Sequence, residues 1–306
     1  MDSVPNVNCN LYKVLKGEDN NRLGTGKVEG IDAIKKAHPH LNKDSTLITR
    51  AGDWGIKRSE KLNGITGEVQ YYYRIEDATH GGVFLPLEIK SIHQGVKRWY
   101  STNLYQYLAE NIYPLPLNCN VNWTDDDTDR ARSFAKDRMC YANFSMTSSY
   151  RVRVSEWAWK ESVKGGEAGY MDCYFPSLYP NQREDLRIPI LKDERLSQSR
   201  FVEEMGRHSF CLCPTGNGLD TFRTWEAIKS NTVPIVQDSW MSRVFAKIWP
   251  MIIVNRYEQS NIPLLMDAFI EKYGVTMDYD FSLLKEDNFE NLLDRIQYEG
   301  DRLRRQ

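Results

Sequence analysis

Residues 209–228 hold the side chains whose types and spacing can do chemistry: a run of Ser209, Phe210, Cys211, Leu212 and Cys213, then Gly216-Asn217-Gly218, then Arg223 and Glu226. This order predicts a short buried strand over 209–213, a glycine loop, and a helix over 221–229. Glycines ahead of a helix let backbone N–H groups close on an anion, and the helix N-terminus favours negative charge. Arg223 brings a permanent cation with forked donors for phosphate. Glu226 stands three residues on, on the same side of a helix, where it can accept from a sugar diol. Diphosphate beside ribose describes a nucleotide-sugar. Gly216, Asn217, Gly218, Leu219, Asp220, Thr221, Arg223 and Glu226 therefore form the expected donor site. Asp220 and Thr221 can instead cap the helix. The competing reading of the whole stretch is a glycine turn followed by a surface ion pair.

A second set, Asn143, Ser145, Arg151 and Arg153, surrounds the end of a predicted strand over 138–144. One of these arginines is expected to close on the diphosphate from the side opposite Arg223. The alternative is two solvated charges near a helix start, where cations are slightly unfavourable.

The elements that must position these groups alternate. Strands over 209–213, 233–236 and 251–254, and helices over 149–162, 221–229, 239–248 and 263–272, follow the strand at 138–144. That order predicts a parallel sheet covered on both faces. Pro234 suits a ladder poorly, which leaves the ends of its strand open. Nearer the N-terminus, a helix over 30–37, strands over 45–50 and 98–101, and an extended stretch over 113–117 have the same flavour. The polar, acidic residues 118–128 read as an interdomain linker, and 288–304 as a charged amphipathic helix. Two such domains imply a cleft, with ligands outside the carboxyl ends of the strands.

Composition sets the bounds. At 306 residues, two domains are expected. A net charge of −2 and a pI near 6.3 argue against a nucleic-acid partner. No apolar run is long enough for a membrane span, and the N-terminus lacks the order of a secretory signal. Of the six cysteines only Cys211 and Cys213 sit close together, on one face of a strand, where they pack as small hydrophobes. Sparse cysteines without an export signal predict a soluble, cytoplasmic protein.

The segment Phe210-Cys211-Leu212-Cys213-Pro214 with Gly216 and Gly218, then Arg223, Glu226-Ala227-Ile228 and Val233-Pro234-Ile235-Val236, resembles the C-terminal signature of exostosin-like glycosyltransferases. Residues 99–103 with Leu115-Pro116-Leu117 are similar to the end of that family's N-terminal domain. Residues 141–145, with Arg151 and Arg153, are similar to the opening of its nucleotide domain. The resemblance implies an α/β GT-B fold, two Rossmann-like domains facing a central cleft. It implies an acceptor-side domain over 1–120, a nucleotide-sugar domain over 121–285 and a C-terminal helix over 286–306. It also implies a glycosyltransferase with a nucleotide-sugar donor and a glycan acceptor. Lacking an anchor, the chain looks more like the soluble exostosin-like enzymes of large algal viruses. That likeness implies inverting xylose transfer from UDP-xylose in the host cytoplasm.

Other glycosyltransferases hold manganese with an Asp-x-Asp. Here Asp125-Asp126-Asp127 precedes a helix, where acids suit the dipole, so no metal or other cofactor is expected. For the base that takes the acceptor proton, Asp53 follows the strand at 45–50 between Gly52 and Gly55. Trp54 beside it would lower the local dielectric or stack on a sugar. The alternative for Asp53 is a simple turn. His80, beside Gly81-Gly82, is the second choice, and the remaining histidines read as structural. Tyr71-Tyr72-Tyr73 and Trp99 can stack on sugar rings or belong to the core. Two other functions compete: an inactive carbohydrate-binding or scaffold protein on a GT-B frame, and a sugar epimerase or phosphorylase, for which no phosphate or pyridoxal motif is seen.

Overall fold

Buried side chains in the second half of the chain alternate between two sides, and this period-two pattern builds a sheet covered on both faces. The computed structural model describes residues 11–15, 46–50, 54–62, 69–77, 86–87, 97–104, 110–117, 123–145, 149–163, 170–174, 196–216 and 218–306. The expected helix over 30–37 lies outside them.

The chain opens with β1 (Leu11–Leu15) and β2 (Thr46–Arg50), which pair antiparallel. β3 (Trp54–Leu62), β4 (Val69–Asp77) and β5 (Pro86–Leu87) form a separate antiparallel sheet. β6 (Arg98–Ser101) and β7 (Ile112–Pro114) return to the first sheet, in the order β1-β2-β6-β7, with β2, β6 and β7 parallel. The antiparallel β3–β5 sheet was not expected. Gly55 lies within its ladder, opposite Glu76, rather than in a turn.

The second half follows the alternation more closely. α1 (Asp125–Ser133) leads into β8 (Arg138–Ala142), α2 (Ser149–Ser162), β9 (Met171–Cys173), α3 (Gln198–Arg207), β10 (His208–Cys213), α4 (Phe222–Lys229), β11 (Val233–Gln237), α5 (Trp240–Phe245), β12 (Ile252–Val254), α6 (Ile262–Tyr273) and α7 (Phe289–Arg304). The five strands are all parallel, in the order β12-β11-β10-β8-β9. Cys140, Ala142, Phe210, Leu212, Val233 and Ile235 face one apolar cluster with α2 and α6. Tyr141, Cys211, Cys213 and Val236 face the other, with α1, α3, α4, α5 and α7. Cys211 and Cys213 thus pack as the expected small hydrophobes, and burial pushes the Cys213 thiol up. Pro234 lies inside β11, opposite Cys211. It is tolerated because β12 pairs only from Ile235 onward, so β11 is locally an edge at the proline.

One helix start corrects the linker expectation. Thr124 caps α1: its hydroxyl accepts from the Asp127 amide at 3.0 Å, and Asp127 accepts from the Thr124 amide at 3.1 Å. The acidic run is therefore the first turn of a helix rather than linker. α3 was not expected, and it packs tightly on α1 through Gly206.

One apolar cluster continues from the first sheet into the second. It holds Ile48, Tyr100, Tyr113 and Leu115 together with Trp225, Ile228, Trp249 and Ile296. α7 returns to the first sheet, where Tyr100 Oη donates to the Leu293 carbonyl at 3.1 Å and Tyr113 Oη to Asp301 at 2.9 Å.

A Cβ at Gly206 would overlap the Ala131 carbonyl and press within 2.9 Å of the Phe134 ring. Backbone cannot yield as a flexible side chain does. Gly206→Ala is therefore expected to destabilise the fold by about 1–3 kcal/mol, read as a lower urea midpoint at unchanged slope.

Candidate functional site

The chain leaves β8 outward to β9, then returns past β8 to place β10 on its other side. The strand order therefore reverses between β8 and β10, and open parallel sheets form their ligand crevice at such a point, beyond the carboxyl ends. Asn143 and Ser145 follow β8 there. Pro214, Thr215 and Gly216 follow β10.

Arg151, in the first turn of α2, is buried against both ends. Its Nε donates to the Thr215 carbonyl at 3.2 Å and its Nη2 to the Pro214 carbonyl at 3.0 Å. Its Nη1 donates to the Ser145 carbonyl at 3.0 Å and meets the Ser145 hydroxyl at 3.4 Å. A Cβ at Gly216 would stand 2.7 Å from that guanidinium. Gly216 is thus required by the close approach of Arg151. Arg153 is exposed, and its described contact is the Tyr150 ring at 5.7 Å.

Arg223 differs. It sits in the first turn of α4, with its guanidinium 4.2 Å over the Phe201 ring from α3. Nε donates to the Asn143 carbonyl at 2.9 Å, and Nη1 to Glu226 Oε2 at 2.9 Å. Among the described residues, Nη2 meets no acceptor. The pair is mostly withdrawn from water, with side-chain exposures of 17% and 8%. Burial works against the Arg223 charge and Glu226 supports it, and the guanidinium stays above its ordinary range. Thr221 is the N-cap of α4 by backbone position, but its side chain makes no capping hydrogen bond, so the head of the helix is not closed from that side.

The remaining expected residues have other partners. Asn143 Nδ2 donates to Tyr141 Oη at 2.8 Å. Leu219 packs against the core. Asp220 accepts from the Leu117 amide at 2.7 Å, from the Thr221 amide at 2.9 Å, and from the Trp225 indole at 2.9 and 2.8 Å. Asn217, Asp53 and His80 lie outside the described residues. Trp99 is fully buried and closed to a sugar ring.

Two contributors had escaped the sequence reading. Asn103 adopts a left-handed φ of 54°, accepts from the Asp220 amide at 2.8 Å, and leaves no room for a Cβ at Gly218. Asparagine tolerates that conformation, so an Asn two residues past a strand was the available signal. Phe201 left no signal, because its partner is far along the chain.

At the opposite, amino ends of β8 and β10, His208 is buried between the Glu204 carbonyl at 2.5 Å and Asp172 at 2.9 Å. The His208 hydrogen bond holds the Asp172 carboxyl below its ordinary range. This is a packed structural cluster, as expected for His208. No protein-family model matches the chain, and no curated protein is a significant match to it.

Burial pushes the Asp220 carboxyl up to about 7, against the pull of the Leu117, Trp225 and Thr221 donors. The folded chain thus holds this proton more tightly than the unfolded one. The contribution of Asp220 to stability is greatest below the ordinary carboxylate pKa and is lost as pH rises through about 7. Urea unfolding from about pH 5 to pH 8 should show the wild type losing stability relative to Asp220→Asn. Parallel pH profiles would refute the shift.

Proposed function

We propose that this protein is a glycosyltransferase of GT-B type that binds a nucleoside-diphosphate sugar at the carboxyl ends of β8 and β10. The observation that carries the reading is Arg223: a sequestered cation at the strand-order reversal, held on one side by Asn143 and Glu226, backed by Phe201, with Nη2 meeting no acceptor among the described residues. Phosphate oxygens are the acceptors that such a fork suits. Glu226, next to it, is the group for the ribose hydroxyls. In this reading residues 1–120 form the acceptor-side unit, 121–285 the nucleotide-sugar unit, and 286–306 the terminal helix. The resemblance to exostosin-like enzymes supports UDP-xylose as donor, a glycan as acceptor, and inversion.

In the transfer, an acceptor hydroxyl attacks the anomeric carbon as the bond from that carbon to the diphosphate oxygen breaks. Negative charge grows on the departing diphosphate. Arg223 and the amide head of α4 meet that charge with dipoles already in place, which is where such groups are most effective. The proton leaves to a base from the acceptor side, for which Asp53 is proposed, with His80 second.

Calorimetry with UDP tests the site. Arg223→Ala should lose about 1.5–3 kcal/mol of affinity, roughly 10- to 150-fold in Kd. Unchanged UDP affinity in a folded variant would defeat the assignment. Turnover is the second measurement, with UDP-xylose and a panel of other UDP-sugars. Because Arg223 and α4 carry the leaving-group charge, transfer should persist in EDTA. Loss in EDTA with rescue by manganese, mimicked by Asp125→Asn with Asp127→Asn, would assign that task to a metal. Binding without turnover across the panel would leave a binding frame.

A further inference from the structure

Asn103 and Asp220 join parts of the chain that are far apart in sequence. Asn103 lies two residues beyond β6, and Leu117 three beyond β7. Asp220 immediately precedes the N-cap of α4. The Asp220 amide donates to Asn103 Oδ1, and its carboxylate accepts from the Leu117 amide and from the Trp225 indole within α4. Asn103 also fills the space where any Cβ at Gly218 would go. Both residues are buried, so none of these bonds is exchanged with water at low cost.

We propose that Asn103 and Asp220 are positioning residues, which set the pose of Arg223 by tying the carboxyl edge of the first sheet to the head of α4. The pose at stake is that of the anion site read above, on which this inference rests. Asp220 is therefore a positioning group rather than a contact of the donor. From the first sheet it meets Leu117 and Asn103, and from α4 it meets Thr221 and Trp225. None of these ionises, and among the described residues no charged side chain bears on the carboxyl. Its hydrogen-bonding neighbours are all N–H donors, so a proton on either oxygen sets donor against donor. The same proton that relieves a buried charge thereby loosens the tie to Leu117.

The test uses the Arg223 Nε–H signal in NMR, which reports the bond to Asn143 and needs no nucleotide. In the wild-type chain that signal should titrate between about pH 6 and pH 8 with the midpoint of the Asp220 carboxyl. Asn103→Gly removes the amide while keeping the left-handed backbone, so the fold is retained. In that variant the Arg223 signal should shift, the unfolding midpoint should drop moderately because the buried Asp220 amide loses its acceptor, and UDP affinity should fall on the order of tenfold in the folded protein. An Arg223 signal that neither titrates nor responds to Asn103→Gly overturns the proposal, as does unaltered UDP affinity in a variant whose Arg223 signal has moved. If the wild type binds no UDP, the nucleotide reading fails by itself, and the Arg223 signal still decides the joint.

Discussion

The carboxyl edge of the second sheet depends on one buried guanidinium. Arg151 stands between the ends of β8 and β10 and donates to the carbonyls of Ser145, Pro214 and Thr215. A buried carbonyl left without a donor costs about 1–3 kcal/mol, so three turned inward are tenable only around a group with many donors. The cation is tenable for the reciprocal reason: three carbonyl dipoles replace its water. A lysine would not serve, because a point charge cannot span two strand ends as a planar fork does. Gly216 follows from this arrangement, since the guanidinium occupies the place of its Cβ.

That commitment separates two arginines which the sequence presents as equals. Arg151 is engaged on every nitrogen by the loop it holds. Among the described residues Arg223 is engaged on two, and an aromatic face fixes its plane. Glu226 complicates the picture. It is three residues on and bonded to Nη1, so the pair is close to neutral before any ligand arrives.

Much of the second half was legible because its strands are short, apolar and well separated by helices. The helix over 149–162 and the strand over 98–101 fell at the observed residues. α3 was not legible because part of its buried face is ionic: Glu204 is fully enclosed, paired with Arg138 and Arg200. Nothing local marks a buried glutamate as core. The β3–β4 hairpin failed for a different reason, since its nine-residue strands mix charge and aromatics without a clean alternation. In the candidate site, Arg223 and Glu226 stand on one side of α4, as their spacing predicts. Gly216 and Gly218 make room for Arg151 and Asn103, neighbours from far along the chain that no local pattern reveals.

The two sheets are also less independent than two Rossmann-like units need be. Leu117, Asn103 and Trp225 meet at Asp220, while Tyr100 and Tyr113 are held by α7 from the far end of the chain. Separating β6 and β7 from α4 would leave the Leu117 and Asp220 amides to be rehydrated together, at about 1–3 kcal/mol each if water is slow to reach them. It would also open an apolar cluster that includes Ile48, Leu115 and Trp249. These costs fall together, so the contacts favour a fixed arrangement of β6, β7 and α4.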